Sequence, residues 1–175
     1  MTRVLGLDLS LASTGVAWVT GLTRTIATRS SDPRGKRLWE FRDGLRNYLK
    51  TSHADCAVLE APGGGPGHEP VIRALAEVRG IAICELHHFA IPYVEVHPST
   101  LKSWAGQIIG HPPASKDDMV SAALQLGGHP SNDDEADAYL LRAVGLRALD
   151  PLEHEDTIPA LTTKMEKLPW PIPAA

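Results

Sequence analysis

Cysteine is scarce in this chain, two in 175 residues, and neither belongs to a CxxC or to any ladder of spacings. A disulfide framework is therefore not expected. Cys56 and Cys84 read as two small core residues of a protein kept in a reducing compartment. Long apolar runs are also missing. None approaches the roughly 18 residues of a membrane span, and Asp8 falls where a signal peptide would need an unbroken apolar stretch. The expectation is a cytoplasmic protein that does not enter a membrane. The sequence has no GxSxG, no P-loop GK[ST], no GxGxxG and no HExxH, and its eight histidines show no metal spacing. There is no internal repeat.

What is present suffices for one core. At 175 residues and 43% hydrophobic content, a single domain is the default. The formal charge of −4 is unevenly spread. Arg24, Arg29, Arg34, Lys36, Arg37, Arg42, Arg46 and Lys50 outnumber Asp32, Glu40 and Asp43 between residues 23 and 50. From Leu149 onward, Asp150, Glu153, Glu155, Asp156 and Glu166 face only Lys164 and Lys167. Carboxylates destined for a cation add negative charge without repelling phosphate once the cation is bound, so nucleic acid stays open as a partner.

The organising stretch is VLGLDLSLASTGVAWV, residues 4–19. Val4, Leu5 and Leu7 predict a buried strand closing on Asp8. A small polar turn follows, then a second strand over Val16–Val19. Residues 23–30 predict a third strand. Asp32 as N-cap and Pro33 at the first helical position predict a helix to about Lys50, with Leu38, Phe41, Leu45 and Leu49 as its apolar stripe. CAVLEA (56–61) is a second buried strand closing on an acid, Glu60. PGGGPGHEP (62–70) reads as a linker rather than a phosphate cradle. Val71, Leu75, Val78, Ala82 and Leu86 predict a helix over 71–86, and Ala74, Gly80 and Ala82 would let another helix approach. Residues 91–96 predict an edge strand, because Pro92 cannot donate to a ladder. Ser99 or Thr100 is expected to cap a short helix carrying Lys102 and Trp104, followed by a loop over 106–114. Ser115-Lys-Asp-Asp predicts a capping box, and Gly127-Gly128 a helix end. The last helix opens at SNDDEADAYLLRAVGLRAL, with Asp133 suited to its cap. Pro151, Pro159, Pro169, Pro171 and Pro173 mark 149–175 as an irregular extension, with one weak helix near 161–167, that either folds over the domain or stays loose.

The acids carry the chemistry. Asp8 and Glu60 repeat one arrangement, a carboxylate at the carboxyl end of an apolar strand, which is where open α/β sheets bind ligands. Asp134 and Asp137, three apart, are neighbours about 5–6 Å apart at Cβ, on the side continued by Leu140, Leu141 and Val144. Capping explains Asp133 but not Asp137, a turn into the helix. Four carboxylates without Cys or His suit Mg²⁺ or Mn²⁺ rather than zinc. Two such ions about 3.5–4 Å apart can hydrolyse a phosphodiester in line. Asp8 would bridge them, and Glu60 and Asp134 or Asp137 would hold one each. Lys102 and Lys116 are placed to neutralise phosphate, although an isolated lysine is most often only solvated.

The order hairpin-with-Asp, strand-with-Glu, helix-with-DxxD resembles the ribonuclease H-like fold, and within it the RuvC-type Holliday junction resolvases. The segments that carry the resemblance are GLDLSLASTGVA (6–17), AVLEAP (57–62), VHPSTLKSWAG (96–106), ASKDDMVSAAL (114–124) and DEADAYLLRAVG (134–145). It implies an α/β fold, a mixed five-stranded sheet with strands 1–3 antiparallel and strands 4–5 parallel, flanked by helices, over a nuclease domain of residues 1–148. It further implies a homodimer, formed through helix 71–86, that nicks opposed strands of a four-way DNA junction with two Mg²⁺ ions per site, Mn²⁺ substituting. Asp8, Glu60, Asp134 and Asp137 fall on the family's acidic positions, and Lys102 and Lys116 on its two functional lysines. Two departures stand out. Bacterial members carry an aromatic residue shortly after the glutamate, and 62–65 has none. The acidic, proline-rich tail also lies beyond the matched region. A shortened resolvase of this kind is similar to those of bacteriophages, which would place it in a bacterial host's cytoplasm.

Three rivals are weighed against this. GLDLSLASTG also resembles the opening of actin-like and sugar-kinase domains, but those need two domains around ATP and 175 residues are too few. A non-catalytic DNA-branch binder would not need all four acids. A broader nuclease for forks, flaps or R-loops is the alternative within enzymes.

Overall fold

The computed structural model describes residues 2–62, 69–111 and 114–171. Five strands, β1 (Val4–Asp8), β2 (Ser13–Ala17), β3 (Thr23–Ala27), β4 (Cys56–Glu60) and β5 (Tyr93–Val96), form one sheet in the order β3-β2-β1-β4-β5. β1–β2 and β2–β3 are antiparallel, and β1–β4 and β4–β5 are parallel. The expected mixed sheet is present, with β5 at its edge.

Period-2 alternation divides the strands between two helical layers. Leu5, Leu7, Val16, Ile26, Ala57 and Leu59 join a core with Phe41, Leu45 and Leu49 of α1 (Arg34–Ser52) and Val78, Ala82 and Leu86 of α2 (Glu69–His88). Val4, Ala17, Val58 and Val96 join the opposite core. Its helices are α3 (Pro98–Ile109), α4 (Lys116–Gln125) and α5 (Asp133–Leu149), the last supplying Leu140, Leu141 and Val144. The extension closes over this second core. Ile158 and Met165 are buried in it, and Trp104 donates its indole N–H to the Ala160 carbonyl at 3.1 Å. Its helix, α6, is the single turn Thr163–Glu166. Among the described residues, no helix is long and apolar enough to cross a membrane.

Several expected boundaries move. β2 begins at Ser13, because Ser13 and Gly15 already pair with β3 and β1, so the turn is shorter than the polar composition suggested. β3 stops at Ala27. Pro33, not Asp32, stands at the N-cap of α1 and makes no side-chain cap; Asp32 instead meets Lys36 at 3.0 Å. α3 is capped by His97, whose ring accepts the Ser99 N–H, with Pro98 at the first helical position. It runs on through the expected loop to Gly110, where φ is 87°. The capping box of Ser115 and Asp118 forms as expected, and Gly127 takes a positive φ just past α4. Asn132, not Asp133, caps α5. Cys56 is buried, but Cys84 is exposed, since it falls on the outward face of α2. Val71, assigned to the buried stripe of α2, is 64% exposed. Most of the glycine-rich stretch, and Pro112-Pro113, lie outside the described residues.

Candidate active site

The parallel register of β1 and β4 pairs Leu7 with Leu59, so Asp8 and Glu60 come next, side by side at the carboxyl ends of adjacent strands. Asp8 shares a face of β1 with Val4 and Gly6, and Glu60 shares a face of β4 with Val58. Val4 and Val58 both pack into the α5 core, so both carboxylates lie on the α5 side of the sheet. The Glu60 backbone is held by two neighbours. Arg79 of α2 donates to its carbonyl at 3.4 Å while pairing with Glu95, and the Ala61 N–H bonds Val96 at 2.8 Å.

α5 reaches these strand ends because two glycines let it come down onto the backbone. A Cβ on Gly6 would overlap the Ala138 carbonyl oxygen, and one on Gly15 would overlap that of Asp134. Farther along, Gly145 performs the same service from the helix side, where a Cβ would stand 2.7 Å from both Val4 and Val58. With Gly15 paired to Asp8 across β1–β2, the first turn of α5 is laid directly over Asp8. The Ser13 hydroxyl, two residues from Gly15 on the same face, donates to Asp134 Oδ2.

The charges register this crowding. Burial pushes the Asp8 carboxyl up to about 8, and the charges of Glu60, Asp137, Asp134 and Asp133 push the same way. Glu60 is pushed up to about 7 by burial and Asp137, against the pull of Lys102. Asp137 is pushed up to about 6 by burial, with Lys102 opposing and Asp133 and Asp134 adding to the rise. Three of the four acids thus hold protons far more tightly than free carboxylates do, first because they are buried and then because other carboxylates stand near them. The four carboxylates singled out from sequence meet at one end of the sheet.

No family model matches the chain. It is 30% identical over 154 residues to the crossover junction endodeoxyribonuclease RuvC of Synechococcus sp. (strain WH7803), across 82% of this chain and 97% of that protein. To RuvC of Synechococcus sp. (strain RCC307) it is 33% identical over 159 residues, across 83% of this chain and 97% of that protein. The chain belongs to the RuvC family. The fold agrees. Thermus thermophilus RuvC in complex with a Holliday junction substrate superposes with a TM-score of 0.64 at 16% identity, over 81% of this chain and 91% of that one. The yeast mitochondrial Holliday junction resolvase Ydc2 gives 0.53 at 12% identity, over 81% and 76%. The architecture is the ribonuclease H-like fold of RuvC.

The two lysines singled out from the sequence occupy different settings. Lys102, half-buried on α3, is close enough to lower the proton affinity of both Glu60 and Asp137. Lys116, its side chain 80% exposed at the start of α4, bonds Asp133 at 2.6 Å and acts on Asp134 and Asp137 through charge alone. That pairing explains why Asp133 does not cap α5: its carboxylate is turned to a cation on another helix.

Three supporting residues are not among those that the sequence motifs single out: Ser13, Arg79 and Glu135. The alternation Ser13, Gly15, Ala17 carries the signal for the first, since it sets Ser13 on the α5 side.

As a place for a divalent cation the residues fit in donor chemistry. All donors are carboxylate oxygens, and Asp137 Oδ1 is buried with no hydrogen-bond partner among the described residues, an orphan that a cation would satisfy. Among the described residues, no three His, Cys, Asp or Glu side chains are arranged as they stand to grip a metal. The acids meet at electrostatic range, short of ligating range.

Proposed function

We propose that this protein resolves four-way DNA junctions by hydrolytic nicking of opposed strands, with residues 1–148 carrying the nuclease site. The observation that supports it best is the convergence of Asp8, Glu60, Asp134 and Asp137 at one end of a RuvC-type sheet. These four carboxylates would hold two Mg²⁺ ions, or Mn²⁺ in their place, with Asp8, which senses all three others, shared between them. Bound there, the ions would supply positive charge to the scissile phosphodiester and lower the pKa of an attacking water. The chain's own residues do the rest. Ser13 fixes one oxygen of Asp134, and Arg79 fixes the strand end that bears Glu60. Lys102, beside Glu60 and Asp137, offsets the negative charge of an entering phosphate, and Lys116 adds a second cation at the start of α5.

Paired nicking needs two sites, and α2 supports a homodimer. Ile72, Ala76, Gly80 and Cys84, four apart, form an exposed stripe of mostly small side chains, with open space around Gly80. The setting would be the cytoplasm, of a bacterial host if the gene is a phage's. The absence of an aromatic residue at 62–65 favours one second reading, a broader nuclease for forks and flaps.

The experiment compares an end-labelled four-way junction, a Y-fork and a linear duplex under Mg²⁺ and Mn²⁺, with Asp8→Asn alongside. Symmetric nicks on the junction are expected, with the duplex intact. Asp8→Asn, which removes ligand charge at little change of volume, should bind the junction with wild-type affinity and cut at least about a hundredfold more slowly. Equal cutting of duplex, or undiminished cutting by Asp8→Asn, overturns the proposal; comparable cutting of the fork selects the broader nuclease.

A further inference from the structure

Glu135 lies between two of the acids in sequence and is 5% exposed, yet among the described residues no cationic side chain pairs with it. Its carboxylate is met by three donors from two parts of the fold. Thr25 Oγ1 donates to Oε1 at 3.0 Å, Thr23 Oγ1 to Oε2 at 2.9 Å, and the Ser131 N–H to Oε2 at 2.9 Å. Thr25 Oγ1 in turn accepts from Asn132 Nδ2 at 3.1 Å, and Asn132 caps the helix by accepting the Glu135 N–H at 2.9 Å. The first turn of α5 is thereby tied to β3 by its third residue and by its cap. β3 is two strands away from β1, so this tie fixes the helix from the side opposite Glu60. Burying a carboxylate without such donors costs several kcal/mol in a typical protein, so the tie is either complete or strongly destabilising.

We propose that Glu135 is a positioning residue for Asp134 and Asp137: it sets the height and rotation of the α5 first turn, and through it the affinity of the site for divalent cations. This rests on the reading that those aspartates hold the cations. A glutamate serving only to cap or pack the helix would contribute to stability and leave cation affinity alone, and that difference is measurable.

The test is Mn²⁺ binding to the full-length protein, read from the electron paramagnetic resonance signal of free Mn²⁺. Variants are Glu135→Ala, Glu135→Gln, Thr25→Val, Asp134→Asn and, as a control equally buried on the other face of the sheet, Glu85→Gln. Glu135→Ala should weaken Mn²⁺ binding by about tenfold, the low end of the loss on removing a group bonded directly to a ligand, because Glu135 acts on the aspartates through the helix backbone. Glu135→Gln should fall between Ala and wild type, because an amide oxygen turned to Thr23 and Ser131 keeps two of the three bonds. Thr25→Val, which removes one donor and the partner of Asn132, should weaken binding in the same direction and serves if Glu135→Ala does not fold. Junction affinity in EDTA should be unchanged throughout, and Glu85→Gln should bind Mn²⁺ as wild type does. Wild-type Mn²⁺ affinity in Glu135→Gln and Thr25→Val, with Asp134→Asn weakened, overturns this inference alone. A wild-type protein that binds no Mn²⁺, or an Asp134→Asn variant that binds it undiminished, overturns the cation reading and this inference with it.

Discussion

On the α1–α2 face of the sheet the buried glutamate, Glu85, meets two arginines, Arg42 at 2.5 Å and Arg46 at 3.3 Å. On the α5 face Glu135, buried to the same 5%, meets two hydroxyls and a backbone amide. Both solutions offset a buried carboxylate, Glu85 Oε2 by the charge of Arg46 without a hydrogen bond, but they differ in charge. Arginines cancel it, which suits a joint between two helices with nothing to bind. Hydroxyls and amides leave it in place, so the acids one and two residues away feel no added cation. Glycines divide the same way. On the α5 face Gly6 and Gly15 are pressed against helix backbone, whereas on the other side a Cβ on Gly44 would meet only the Ile26 side chain, at 2.9 Å. One face is built for fixed distance, the other for tolerant packing.

The strongest way to break this comparison is a single methyl group. Gly15→Ala should force α5 off the sheet, costing about 1–3 kcal/mol of stability. It should also lower cleavage by about a hundredfold, because reacting groups displaced by about an ångström lose roughly that much. Gly44→Ala, in the middle of a helix, should change stability by no more than about 1 kcal/mol, the gain in helix propensity offsetting the crowding. Urea unfolding and junction cleavage on the two variants decide it; equal effects would mean the faces are alike.

Acidity sharpens it next. Without cations, Asp8, Glu60 and Asp137 titrate near 8, 7 and 6, above their ordinary 3.8, 4.5 and 3.8. Between those limits these three groups bind more protons in the native state than in the unfolded chain, so their contribution to stability falls as pH rises from about 4 through about 8. Thermal unfolding in EDTA should show Tm declining over that interval, the slope reduced in Asp8→Asn and opposed by millimolar Mg²⁺ at pH 8. A flat profile would separate the acids from one another.

Smaller effects are expected on the other face. Glu85→Ala strands two arginines that are already partly in water, so the loss should be about 1–2 kcal/mol, with Mn²⁺ affinity untouched. Gly80→Ala, in open space on α2, should stabilise an isolated subunit by about 0.5–1 kcal/mol through helix propensity. If α2 is the dimer face, sedimentation should show weaker self-association in the same variant.

The strands, and the acids that close two of them, could be read from local pattern, whereas the mixed sheet that sets Asp8 beside Glu60 was legible only through the resemblance to a known fold. The helix stripes were legible from local pattern too, as Phe41, Leu45 and Leu49 demonstrate. What escaped was decided by partners far away in sequence. Asp133 and Asn132 are both good capping residues, and the choice between them fell to Lys116 on another helix. Glu135 reads as one more acid in a helix's first turn until Thr23 and Thr25, 112 and 110 residues earlier, are placed beneath it. Cys84 reads as interior from its apolar neighbours alone, and Val71 from carrying the α2 stripe one turn too far toward the helix start.

Gly15 has a further consequence for how sequences of this kind should be compared. Its hydrogen atom occupies the gap that separates a strand from the carbonyl of Asp134. On the proposed reading of the site, catalytic competence is therefore written partly in a residue that has no functional group at all. A homologue could retain every acid and both lysines, carry alanine at this one place, and still be a folded but idle protein.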